Sequence, residues 1–401
     1  MAVRPGNFQQ NDTLNRYLLF FPRNANALND VHSFTGEEAL SQPYRYTIRF
    51  TSPNANIPPD AILNQKAEFL LRAPNPEASW HGQSSWLPVR QINGTITAFS
   101  RVKSSSDEAL YECVLEHELA LLNRNFRSAV YTDVTVPEVV TQLMKESRYF
   151  EGFNIDFDSL RCTYPRREMI IQWKETDLEF IRRLLAEVGI WFRLENHSTT
   201  PTETVVIFGD SASRYIISEK KFPFVRRSGM TSHDEYVTEL EERHALIPEN
   251  IMVRSYNYRD PLSPQADKTI VSNNIPGGIT TGSEYHHSDH FLQGGDFYGE
   301  ESETATFYAR LRYERLLNTQ CVLGATTSAA ELQPGIKFDI TGQIPDGFKK
   351  GFFVTSMTIT GSRAEHYQAL LSGIPCRHEY SFRPEFLPRP QIAGTVRSEE
   401  H

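Results

Sequence analysis

The chain has 401 residues, 39% of them hydrophobic and 11% aromatic, enough to build roughly two to four compact units with real cores. Its 41 basic and 50 acidic side chains leave a formal charge of -9, which gives it no electrostatic reason to seek nucleic acid or anionic lipid. Cys113, Cys162, Cys321 and Cys376 fit no metal spacing and are too sparse for a disulfide framework, so reduced cytosolic thiols are expected, and neither a signal-peptide core nor a membrane-length apolar run occurs.

In chain order, Tyr44, Tyr46, Ile48 and Phe50 alternate with polar residues, the two-residue period of a strand with one dry face. Further strands are expected over Ala67 to Arg72, Ile92 to Arg101 and Tyr111 to Leu119, with an exposed loop from Ala73 to Pro88 carrying Trp80 and Trp86. Thr135-Val-Pro-Glu138 is a capping box, and Val139, Val140, Leu143 and Met144 give the helix that follows its apolar stripe.

The best-defined stretch is Arg167 to Asn196, read as strand, helix, strand. Thr176 and Glu179 cap the helix, Leu178, Ile181, Leu184, Leu185 and Val188 form its buried face, and Gly189 closes it. Glu179, Arg182, Arg183 and Glu187 are expected largely outside the buried stripe. Strands return at Glu203 to Gly209, Arg214 to Ile217 and Asn250 to Tyr258, broken by Asp260-Pro-Leu-Ser-Pro264 and by Gly277-Gly278. A helix is expected from Ser302 to about Leu317 with Arg310, Arg312 and Arg315 on its solvated side. Ile336 to Thr341, Phe353 to Arg363 and Tyr367 to Ile374 then echo the earlier strand triplet in order and polarity, a pattern that leaves internal duplication open. A proline-rich connector, Pro388-Arg-Pro390, precedes an apolar alternation over Gln391 to Val396.

Gln172, Trp173, Glu175, Leu178, Phe180, Arg183, Leu184, Leu185, Glu187, Gly189 and Ile190 together resemble the hub segment of VgrG proteins, the spike proteins of type VI secretion systems. Phe34-Thr-Gly-Glu-Glu-Ala-Leu-Ser-Gln-Pro43 resembles the opening of the same family. The resemblance implies a mainly β protein with α/β insertions: two similar β-barrel domains plus smaller α+β domains, as in a contractile-tail phage baseplate hub. The expected divisions are a first barrel over 1–124 completed by strands near 203–230, an α/β insertion over 125–202, and a second barrel over 203–384 with a helical insertion near 302–318. Residues 385–401 are expected to be a linker and the first strand of a truncated oligonucleotide/oligosaccharide-binding-type domain. The resemblance further implies a structural homotrimer without cofactors that caps a hexameric tail-tube protein. Its partners would be baseplate proteins and secreted effectors, not nucleic acid, and a missing C-terminal spike would meet the target membrane mechanically. Such a protein assembles in the bacterial cytoplasm and is translocated by the type VI machine without a signal peptide.

Catalytic and metal signals are weak. Val205 to Ser211 runs an apolar strand into Gly-Asp-Ser, as GDS-type hydrolases do, but no Asp-x-x-His follows to supply a base. His286, His287 and His290 are the one histidine cluster, and neighbours on a strand point to opposite faces, so a polar surface is expected in place of a metal site. The paired acids Asp156 and Asp158, and Glu241 and Glu242, read as solvated faces. No catalytic, cofactor-binding or metal residue is assigned, and the competing reading is a β-barrel adhesin with exposed aromatics such as Trp80.

Overall fold

The computed structural model describes residues 16–21, 29–75, 86–158, 160–226, 235–254, 268–271, 280–287, 303–365, 367–376 and 381–394. Trp80, the Asp260 to Pro264 break, Gly277-Gly278 and His290 lie outside them.

The first barrel comprises β1 (Tyr17–Phe20), β2 (Asp30–Ala39), β3 (Arg45–Ser52), β4 (Lys66–Pro74), β5 (Trp86–Ser104) and β6 (Ala109–Glu116). Around it the order is β1, β4, β5, β6, β3, β2, and the Leu18–Asp30 pair between β1 and β2 closes the ring. Alternation places Tyr46, Ile48 and Phe50 of β3 wholly inside. Arg45 and Arg49 point outward and pair across the strand with Glu116 and Glu112. Closure comes from these strands, and the described strands within 203–226 pair elsewhere and do not complete this barrel. The loop expected from Ala73 to Pro88 is shorter, because β4 reaches Pro74 and Trp86 already lies in β5 under the Arg16 guanidinium.

An α/β unit follows: β7 (Phe126–Val134), α1 (Val136–Glu146), β8 (Ile155–Asp156), β9 (Arg167–Thr176), α2 (Asp177–Glu187), β10 (Trp191–Asn196) and β11 (Thr204–Gly209). Both capping boxes form, Thr135 with Glu138 and Thr176 with Glu179, and Gly189 takes φ of +76° past the end of α2. Because β11 pairs with β10 and β8, it belongs to this unit and not to the second barrel.

The second barrel is assembled from β12 (Ile216–Pro223), β13 (Val237–His244), β17 (Cys321–Thr327), β18 (Ile336–Thr341), β19 (Phe352–Ser362) and β20 (Gln368–Pro375). Between β13 and β17 stand β14 (Asn250–Arg254), β15 (Lys268–Val271), β16 (Ser283–His287) and α3 (Ala305–Gln320). A small core of Ile247, Ile251, Val253, Ala309, Tyr313 and Leu317 holds this insertion together. The ring runs β13, β17, β20, β19, β18, β12, and the parallel bridge of Phe224 to Val237 closes it.

The two barrels match strand for strand in chain order, β1 to β6 against β12, β13, β17, β18, β19 and β20, with the same neighbours throughout. The strand triplets that echo one another in sequence therefore occupy equivalent places. One irregularity is shared, since β5 skips Thr97 opposite β6 and β19 skips Thr355 opposite β20, whereas the second skip in β5, at Val102, has no counterpart in β19. One strand departs. β1 is antiparallel to both neighbours, whereas β12 is parallel to β18 and to β13.

Candidate functional site: the barrel seam and the anchored connector

The barrels are joined by a sheet seam in which β2 pairs antiparallel with β19, from Ser33 against Ser362 to Ala39 against Ser356. The VgrG-like opening motif therefore lies on the seam strand. Gly36 sits where a Cβ would come within 2.3 Å of the buried Tyr46 ring, and at Gly361 one would come within 2.6 Å of Phe34. The missing side chains let the Tyr46 and Phe34 rings approach the seam backbone closely.

Charged groups reinforce it. Arg90 on β5 binds Glu38 on β2 at 2.5 Å and donates to the Leu332 carbonyl at 3.3 Å, linking the first barrel to the loop between β17 and β18 of the second. Tyr46 donates its hydroxyl proton to the same Glu38. At the end of β19, Arg363 donates to Thr51 Oγ1 at 2.7 Å and pairs with Asp30 at 2.6 Å, clamping β2 and β3.

The second element is the connector over residues 381–394, which contains no strand; Thr395 and Val396 lie outside the described residues. The connector is nonetheless fixed. Arg383 is buried, donates to the Gly189 carbonyl at 2.7 Å and pairs with Glu314 on α3. Arg315 donates to the Pro384 carbonyl at 2.9 Å, and the guanidinium groups of Arg312 and Arg315 lie over the Phe386 ring. Arg389 pairs with Glu187 at 2.7 Å, and Glu187 also holds Arg167, which reaches on to Glu303.

This arrangement corrects two expectations. Arg183 and Glu187 are buried, because Arg183 pairs with Glu175 at 2.8 Å and Glu187 meets Arg167 and Arg389. Arg312 and Arg315 do not form a solvated helix side, because the connector covers them. Burial, with Arg383 nearby, pushes Arg315 down to about 9. Burial alone would raise the Glu187 carboxyl, but Arg167 and Arg389 hold it below its ordinary value. Helical periodicity places a charge on a face; it does not reveal that a segment far along the chain lies across that face.

Ser211 donates to or accepts from Ser213 Oγ at 2.8 Å, and among the described residues no histidine bonds it. Asp210 is buried and accepts from the Arg161 and Cys162 amides at 2.9 and 2.8 Å, an anchor for that loop. His286 pairs with Glu284 at 2.6 Å while the next residue, His287, is exposed, as strand alternation requires. Asp156 pairs with Arg214 at 3.5 Å and caps the Asp158 amide at 3.0 Å. The sequence analysis missed one donor cluster: Glu242, His244 and Cys321 bring ligand atoms within 4.8 Å of one another. Its signal was the Glu-x-His spacing on one strand face, completed by a cysteine on the neighbouring strand that sequence distance conceals. The Glu242 carboxylate is already engaged by His244 at 2.7 Å and by the Gly347 amide at 3.3 Å.

Across residues 37–365 the chain matches the phage tail baseplate hub (GPD) family. The chain belongs to that family. The hub is similar to the type VI secretion system spike protein VgrG5 of Pseudomonas aeruginosa, at 28% identity over 58% of this chain and 27% of the relative. It is also similar to VgrG3 of Vibrio cholerae, at 21% identity over 91% of this chain and 35% of the relative. It thus spans about a third of the length of these relatives. Among solved structures it is similar to the E. coli c3393 protein, described as a type VI secretion component resembling T4 tail proteins gp27 and gp5. That match has 29% identity and a TM-score of 0.68, covering 94% of this chain and 82% of the other. A prophage tail protein from Shewanella oneidensis shares the fold at 11% identity and a TM-score of 0.55, covering 89% of this chain and 98% of the other. The VgrG resemblance carried by the Gln172 to Ile190 string is borne out, and so is the two-barrel hub architecture.

Proposed function

We propose that this hub is the non-enzymatic base of a type VI secretion spike, a homotrimer whose barrels form a ring that caps a hexameric tail tube. Downstream of the ring it carries a spike and effectors, and the type VI machine translocates the whole assembly. The observation that supports this reading most directly is the pair of closed barrels with equivalent strands, which gives each subunit two similar surfaces. A threefold ring of such subunits presents six barrel positions to a sixfold partner. Mechanical duty also fits a connector that leaves the body through buried ion pairs in place of a loose linker.

The test is the mass of the purified chain in solution, followed by electron microscopy of the assembled species. A particle of three times 45.9 kDa with a closed threefold ring supports the proposal. A monomer at every concentration, with turnover of an ester or glycan substrate lost on Ser211→Ala, would replace it with a hydrolase. Adding the hexameric tube protein to the trimer should give a stoichiometric complex.

A further inference from the structure

The second barrel carries three different donor types at the end where its large insertion departs. Glu242 and His244 are two positions apart on β13 and share a face, and the register sets His244 opposite Cys321, the first residue of β17. Ligand atoms of all three lie within 4.8 Å of one another. β13 ends at His244 and β17 begins at Cys321, with β14, β15, β16 and α3 between them. The cluster therefore stands where the insertion leaves the barrel and where it returns. The Ala245 amide donates to the Gln320 carbonyl at 2.9 Å, a backbone tie at the same junction.

The short turn Asp346–Lys350 completes the site. Its Phe348 is buried in the barrel core, and its Gly347 amide donates to Glu242 Oε2 at 3.3 Å. A Cβ at Gly347 would come within 2.7 Å of the Glu242 carboxyl carbon, so a side chain at that position would push the carboxylate aside. The other oxygen, Oε1, lies 2.7 Å from His244 Nε2. One carboxylate oxygen is thus held by backbone while the second faces the imidazole, as in metal sites whose carboxylate is oriented by an outer hydrogen bond. Cys321 is buried and in no disulfide, whereas His244 is exposed, so the cluster has a protein side and a solvent side.

We infer that Glu242, His244 and Cys321 bind one zinc-class divalent cation, with water in the fourth position on the solvent side. The donor set selects the ion. A thiolate and an imidazole favour zinc or cobalt over calcium and magnesium, which take oxygen ligands. Tetrahedral zinc about 2.0–2.3 Å from each donor sets the donors about 3.3–3.7 Å apart. The closest donors here are 2.7 Å apart and none exceeds 4.8 Å, so side-chain movements of about 1 Å reach that geometry. Carboxylate and thiolate together neutralise the cation; the thiol proton goes to solvent, and the imidazole keeps its proton on Nδ1. The bound ion would clip both ends of the insertion to the barrel, and it does so whether or not the chain forms the trimer proposed above.

Cobalt titration of the untagged full chain tests the site. One equivalent should bind, giving a thiolate-to-cobalt charge-transfer band in the near ultraviolet and strong tetrahedral bands in the visible. His244→Gln and Glu242→Gln, neither in the core, should each weaken binding about tenfold or more, and Cys321→Ser should abolish the charge-transfer band. If Cys321→Ser fails to fold, the two surface variants carry the test. His286→Gln with His287→Gln, outside the cluster, should leave binding unchanged. Absence of the charge-transfer band at about a hundredfold excess of cobalt, or a band that survives in His244→Gln and disappears in the His286/His287 variant, overturns the inference. As a second measurement, zinc at about ten times its dissociation constant should slow hydrogen exchange of the Ala245 amide about tenfold in the original chain and not in His244→Gln; equal exchange with and without zinc counts against the clip.

Discussion

The Arg383 guanidinium donates to the carbonyl of Gly189 at 2.7 Å, so the start of the connector is bonded to the residue that closes α2. Its second partner, Glu314, is also buried, with Arg310 3.9 Å away. Replacing Arg383 by Met strands that carboxylate, and the expected loss is about 3–5 kcal/mol. Arg383→Met with Glu314→Leu should recover most of it. Chemical denaturation of the three variants checks this, and protease cleavage within residues 385–394 should quicken in the single variant alone.

Arg90 and Glu38 make a comparable test within the barrel. Both are largely buried, and Glu38 also accepts from Tyr46. Arg90→Met should cost about 3–5 kcal/mol, whereas Tyr46→Phe, which removes one hydrogen bond and leaves the ion pair, should cost about 1–3 kcal/mol. Equal losses in the denaturation midpoint would show that the ion pair is not the dominant contact.

His117 is fully buried, accepts from the Leu119 amide at 3.1 Å through Nδ1, and lies 2.9 Å from Thr204 Oγ1 through Nε2. Burial lowers its pKa from 6.5 to about 3. Above pH 6.5 neither the folded nor the unfolded chain is protonated there, so the group adds no pH dependence. As pH falls from 6.5 towards 3 the unfolded chain binds a proton that the folded chain refuses, and stability declines. Between pH 7 and 5 this single histidine should account for about 2 kcal/mol of lost stability. In His117→Asn, which keeps an acceptor for the Leu119 amide, the loss over the same interval should shrink by that amount, as read from denaturation at the two pH values.

Gly189 has φ of +76°, and an added Cβ would lie 2.4 Å from Leu311. Gly189→Ala therefore meets backbone strain of about 1–2 kcal/mol together with displacement of a buried leucine on α3. A loss in total of about 2–4 kcal/mol is expected in a thermal or chemical melt.

Much of this fold was legible because its signals are local. The capping residues Thr135 and Thr176, the stripe of α2, and the alternation of Tyr44 to Phe50 each depend on a few neighbouring positions. The echoing strand triplets were also visible, since alternation and order survive when identity does not. What sequence concealed was distant pairing. Nothing near Glu187 announces Arg389, and nothing near Cys321 announces His244. Barrel membership was hidden for the same reason: β11 and β12 are consecutive strands, yet one completes the α/β unit and the other closes the second ring.

The one reversed strand bears on symmetry. With β12 running against the sense of its counterpart β1, the two barrels are close copies that cannot trade places. Any circle made from this chain must alternate between two kinds of stave. In the trimer proposed above, neighbouring staves therefore differ in the sense of one strand, and the ring's true symmetry is threefold.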